Sequence, residues 1–262
     1  MLLRRTTMRE IEEDDGWNYI EVRLNVTTTA SRINVISTSF TGSSQIDYIC
    51  FNDPGNSTHY SFDTGFQFTW TGERKMYIHF KENVTNLDNL FANITSITYI
   101  DMNKLDTRNV TSMNGMCMGC SSLIQCLMSE CRADSLYYMI NTFNSCSVLK
   151  YVDFGSYITG KFKPRRLVDI RNMFNWCRAI TTINMSMFDF STVTDFGYTW
   201  GNCYALVELF ISSTFSASAS MSTNMFANST ASGAKIYYNK NYDVSRLNAV
   251  KGSNWSMVVY NY

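Results

Sequence analysis

Histidine and proline are almost missing from this chain: each occurs twice in 262 residues. With so little imidazole, histidine-rich metal sites and Ser-His-Asp relays have nothing to draw on, and no phosphate-cradling glycine loop is present. An excess of charge of one sign is lacking too. Lysine plus arginine and aspartate plus glutamate both number 22, so no basic field gathers phosphates and nucleic acid is not expected as a partner. No apolar run reaches the ~18 residues that span a bilayer, which argues against membrane insertion. The opening MLLRRTTMREIEEDD sets an arginine pair where a secretory signal would turn apolar, so no export signal is expected. Glycine is also scarce (13) while aromatic residues make up 15%, the balance of a strand-rich body.

What the chain has instead is internal repetition. With Cys120 as the zero position, the same slot recurs at Cys146, Cys177 and Cys203, at intervals of 26, 31 and 26 residues, and steps of 26 outward reach Ile94 and Ser229. Three residues before these stand Phe91, Cys117, Phe143, Phe174, Trp200 and Phe226; seven before stand Leu87, Met113, Met139, Ile170, Phe196 and Ser222; ten before stand Val84, Val110, Leu136, Leu167, Val193 and Ala219. Spacings of three and four predict one face of a short helical turn. After the zero position the period changes to that of a strand, with Ile100, Cys126, Val152, Ile183 and Leu209 two residues before Met102, Met128, Phe154, Met185 and Ile211. The expectation is an α/β solenoid of leucine-rich-repeat type, a short helical turn plus a strand per 26-residue unit.

The phrases NVTSMNGMCMGCSSL, MINTFNSCSVLKYVDF and IRNMFNWCRAITTINMSMFDFSTVTDF resemble the BspA-like leucine-rich repeats. Their units read as a Phe-Asp-Thr-Ser-x-Val-Thr turn, a Met-Phe-x-x-Cys helix and a Leu-x-x-Leu-x-Leu strand. The ending AKIYYNKNYDVSRLNAVKGSNWSMVVYNY is similar to the terminal unit of such arrays, which implies a short helix and a Trp closing the stack. This gives an array of about six units over residues 83–238 and a C-terminal cap over 239–262. Residues 17–82 alternate apolar and polar in short runs such as YIEVRLNV and MYIHF, separated by DPGNST and TGERK, and are read as an all-β sheet or sandwich capping the solenoid's open end. Residues 1–16 are read as an extended arm, because a helix there would set EIEEDD against its dipole; a charged terminus needs tying down, and docking on another chain is expected, with a local contact within the monomer as the alternative.

Cys117 and Cys120 have the C-x-x-C spacing of a metal or redox site, yet both fall in core columns. Neither metal nor cofactor is expected. His59 and His79 lie outside the array, and the cysteines are read as buried free thiols. Stacked one coil apart, their Cβ atoms would sit near the ~4.8 Å strand spacing, beyond what a disulfide accepts, so a thiol ladder formed in a reducing cytosol is expected. Eight sequons begin at Asn25, Asn56, Asn83, Asn93, Asn109, Asn184, Asn228 and Asn254, and they read as turn residues rather than glycan sites.

If the module binds a partner, the outward strand positions should do it: Tyr99, Asp101, Tyr151, Asp153, Asn184 and Glu208. Rings beside carboxylates and amides can stack on sugars or anchor a protein. The leading expectation is a non-enzymatic structural and interaction protein, a bacteriophage virion component of head-fibre, decoration or tail type, made in the host cytoplasm. It would be attached to other virion proteins or to copies of itself through its arm and would present the repeat face to a host-surface glycan or protein. The alternative, which the resemblance implies, is a bacterial cell-surface adhesin. A glycan hydrolase using Asp101 and Asp153 as paired carboxylates comes third.

Overall fold

The structure is a computed structural model in which residues 18–29, 31–156, 160–211, 215–216, 218–221 and 223–260 are described; the arm expected at 1–16 lies outside them. Strand β1 (Tyr19–Val26) buries Ile20, Val22, Leu24 and Val26 and turns Tyr19, Glu21, Arg23 and Asn25 outward, as a period of two dictates. It is followed by β2 (Ile33–Asn34), β3 (Ile46–Phe51), β4 (Gly65–Phe66) and β5 (Gly72–Phe80). β1 pairs antiparallel with β5 on one side and with β6 (Ile97–Asp101), the first strand of the repeats, on the other. The cap is thus joined to the stack by backbone hydrogen bonds, within one sheet of order β3-β5-β1-β6-β7-β8.

Strands β7 (Gln125–Leu127) and β8 (Tyr151–Asp153) continue that sheet in parallel. Strands β9 (Thr182–Met185), β10 (Glu208–Ile211) and β11 (Ala234–Tyr238) form a second parallel sheet, closed by helix α1 (Ser245–Val250) and strand β12 (Trp255–Val259). The result is a β-solenoid of about 5 turns. The register follows the repeat: Tyr99, Gln125 and Tyr151 are partners, as are Asp101, Leu127 and Asp153. Every column predicted to face inward does so among the described residues, and a buried Leu, Ile or Phe contributes about 1.5–3 kcal/mol. Rings stack from coil to coil, Phe143 on Phe174 at 5.5 Å and Trp200 on Phe226 at 5.1 Å, with Trp255 of the C-terminal cap next at 5.1 Å from Phe226.

The helical turn expected in each unit is not there. Among the described residues the repeat coils carry no α-helix, and only the last has a 3-10 turn, at Thr223–Phe226. The reason lies in where the amides point. In the first coil Leu87, Asn89, Phe91 and Asn93 donate their N–H to carbonyls of Ser112, Asn114, Met116 and Met118 in the next coil, at 2.6–3.0 Å. Leu90, Ala92 and Ile94, between them, close turns onto the residue three before. A helix would send every amide back along its own chain. Residues at φ of 55–73° recur in pairs four apart: Asn89 with Asn93, Gly115 with Gly119, Asn141 with Ser145, Asn172 with Trp176, and Tyr198 with Asn202. Linked turns reset by a left-handed residue reproduce the three-and-four spacing of apolar side chains, and asparagine and glycine adopt that conformation most readily.

The thiol ladder is present and has a hydrogen-bonding task. All eight cysteines are free and buried. The thiols of Cys120, Cys146, Cys177 and Cys203 donate to the carbonyls of Phe91, Cys117, Phe143 and Phe174 in the preceding coil at 3.0–3.1 Å. Each of those carbonyls also receives the N–H three residues on, so both lone pairs are used. In the last coil Ser229 takes the same place and donates its hydroxyl to the Trp200 carbonyl.

One interruption breaks the regularity. β8 and β9 are neighbours but belong to different sheets, and the longer interval of 31 residues falls between their coils. The added segment is anchored by Phe162, fully buried against Phe154 and Phe188 at 5.2 and 5.7 Å.

Candidate functional site

The outward face of β6, β7 and β8 is continuous with that of the cap. Across β5, β1 and β6 a polar belt runs from Lys75 to Glu21 (4.0 Å), from Glu21 to Arg23 (3.0 Å) and from Arg23 onto the ring of Tyr99, 4.2 Å from its centroid. Tyr99 donates its hydroxyl to Asp101 at 3.3 Å. Burial, with the Asp101 carboxylate beside it, pushes the Tyr99 phenol up to about 12, so it stays a neutral donor at physiological pH. Two coils on, burial and then the Asp153 carboxylate raise Tyr151 likewise. Tyr151 is 49% exposed, the most open ring on this face.

The structure therefore brings Tyr99, Asp101, Tyr151 and Asp153 together on one face, and sets Asn184 and Glu208 on the second sheet beyond the interruption. The acidic and amide positions also have turn duties. Asp101, Asp153 and Asn184 each accept the backbone N–H two residues on, from Asn103 (2.9 Å), Gly155 (2.8 Å) and Ser186 (3.0 Å). Glu208 accepts the hydroxyls of Thr182 and Tyr237 at 3.2 and 3.3 Å. The second oxygen of Asp101 takes the Tyr99 hydroxyl, both oxygens of Glu208 are used, and Arg23 is held by Glu21 and Tyr99, so what the face offers a partner is its rings, Tyr151 above all.

Glu21 and Arg23 were missed from the sequence as members of this face. Alternation in YIEVRLNV marks them as outward, but nothing local shows that β1 lies beside β6. A second unforeseen cluster sits on the outer face of the cap, where Tyr48 stacks between His59 and His79 with centroids at 3.8 and 4.1 Å. Cys50 lies 3.6 Å from His79 Nε2. Burial pushes the Cys50 thiol up to about 11 and lowers His79, so both are held neutral, the reverse of the thiolate–imidazolium pairing that activates a nucleophile. Among the described residues no group of three or more His, Cys, Asp and Glu is placed to hold a metal ion, and no helix is long and apolar enough to cross a membrane.

A parallel β-solenoid with one ladder of small buried donors, capped by strands at one end and by a helix and Trp at the other, defines a repeat protein. Its sequence matches the family described as Mycoplasma protein of unknown function, DUF285, over residues 85–208 and 133–240, together more than half of the chain. The protein belongs to that family, and match and fold together fit a BspA-like repeat protein. No curated protein and no solved structure matches it.

Proposed function

We propose that the protein is a non-enzymatic structural and interaction module that displays the outer strand face of its solenoid to a partner on a bacterial surface. The observation that carries this reading is the register of Tyr99, Asp101, Tyr151 and Asp153 over three hydrogen-bonded strands, with Tyr151 half open to solvent. A rigid sheet carrying rings and acceptors on one side suits recognition of a host-surface glycan or protein.

In the leading version the module is a bacteriophage virion component, made in the host cytoplasm and held to other virion proteins or to its own copies by residues 1–16. Support comes from the eight free thiols, four of them committed to a ladder that oxidation would break. The second version is a bacterial cell-surface adhesin, favoured by the family's description as a Mycoplasma protein. A hydrolase reading is weaker, since Asp101 and Asp153 each spend an oxygen on a turn amide. The test is a pull-down from intact bacteria and from phage particles with the full chain and with Tyr99→Ala/Tyr151→Ala. Binding should fall by roughly tenfold in the double variant with little change in melting temperature. Equal capture by both proteins would sink the site.

A further inference from the structure

A different surface lies on the turn edge of the solenoid. One residue before the zero position most coils carry glycine or a small polar residue, Asn93, Gly119, Ser145, Asn202 or Asn228, and one after it stand Thr95, Ser121, Ser147 and Thr230. Two adjacent coils depart from this. Trp176 and Arg178 flank Cys177, Tyr204 follows Cys203, and Tyr198 takes a left-handed position filled by Asn or Gly in the coils before it.

Trp176 has φ of 65° and Tyr198 of 55°, a conformation that bulky L-residues rarely adopt. Burial does not explain them. Trp176, Tyr198 and Tyr204 are 37, 40 and 42% exposed, and strain held at exposed aromatic residues points to function. The Arg178 guanidinium lies 4.8 Å from the Trp176 ring centroid and 5.9 Å from that of Tyr204, the two rings being 6.3 Å apart at 67°. Among the described residues no carboxylate or carbonyl pairs with Arg178. The cap holds an instructive contrast: Arg74 also covers a tryptophan, Trp70, but donates to the carbonyls of Trp70, Thr71 and Glu73. Gly201, three residues after Tyr198, joins the two coils here. Its carbonyl accepts the Trp176 N–H at 3.1 Å, and a Cβ there would crowd the Tyr198 ring at 3.1 Å.

We propose that Trp176, Arg178, Tyr198 and Tyr204 form a binding site for an acidic glycan. The rings receive the C–H faces of pyranose units and Arg178 receives the carboxylate. A neutral sugar would leave the one unpaired cation of the cluster unused, and the chain has no excess of positive charge with which to hold a nucleic acid backbone.

Titration calorimetry of the full chain with trigalacturonate, with sialyllactose and with neutral lactose tests this and separates a uronate from a sialate source. At least one acidic sugar should bind, with lactose about tenfold weaker or more. Trp176→Asn, the residue found at this place in the next coil, and Arg178→Ser should each weaken binding by roughly tenfold, while Trp70→Ala leaves it unchanged. Trp176→Asn should melt no lower than the natural chain, because it relieves the backbone; if it fails to fold, Arg178→Ser decides. The proposal is overturned by absence of binding to both acidic sugars, by equal affinity for lactose, by wild-type affinity in the variants, or by preference for a single-stranded oligonucleotide.

Discussion

Replacing Cys146 separates two accounts of the thiol ladder. Its Sγ is fully buried and donates to the Cys117 carbonyl at 3.0 Å. Cys146→Ala removes one buried sulfur, about 1 kcal/mol of burial, and the donor to a carbonyl that keeps one other partner, about 1 kcal/mol more, so the expected loss is about 2 kcal/mol. Cys146→Ser gives up the same burial but keeps a donor, as Ser229 does naturally against Trp200, and should lie about 1 kcal/mol above the alanine variant. If the thiol were merely an apolar filler, the order would invert, since a buried hydroxyl without a partner costs about 1–3 kcal/mol. Equilibrium urea unfolding under reducing conditions ranks the two variants by midpoint. A midpoint for serine below that for alanine refutes the hydrogen-bonding account.

In native protein at pH 8 none of the eight cysteines should react with a thiol reagent, and all eight should react in denaturant, because all are buried; burial also pushes Cys50 up to about 11, Cys203 up to about 12 and Cys117, Cys126, Cys146 and Cys177 well above the usual thiol range. The folded state favours the neutral thiol, so stability should hold below the unfolded-chain value of about 8.5 and fall as pH rises from there through 11–12; a reagent titration and an alkaline melting series check these two points. Gly119→Ala should cost about 1–2 kcal/mol or more, since Gly119 has φ of 73° and an added Cβ would strike the Asn93 side chain; a thermal melt indistinguishable from that of the natural chain would contradict this.

The strand half of each coil was legible because a period of two leaves no ambiguity. The 26-residue offset between Tyr99, Gln125 and Tyr151 is the register observed. The other half was misread because linked turns and a helix share the spacing of Leu87 and Phe91. The distinguishing signal was present in the sequence, in the pairs Asn89 with Asn93 and Gly115 with Gly119, residues poor in a helix interior but suited to a left-handed turn. The position of β1 between β5 and β6 depends on pairing between distant segments, which no local pattern encodes. For the same reason Arg23 could not be placed over Tyr99. The candidate face was half legible: its first four residues assemble as their columns foretell, whereas the interruption between β8 and β9 sets Asn184 and Glu208 apart.

That interruption gives the stack a direction of weakness. On the turn edge the coils remain tied at this level by the Tyr138–Asp169 bridge and by amides of Asn141, Phe143 and Ser145 reaching Arg171, Met173 and Asn175. On the strand face no ladder joins β8 to β9. The turn edge is therefore the spine and the strand face the fore-edge of a bound volume. A load that bends the solenoid opens it between Tyr151 and Asn184, where two plates meet, and leaves each plate flat.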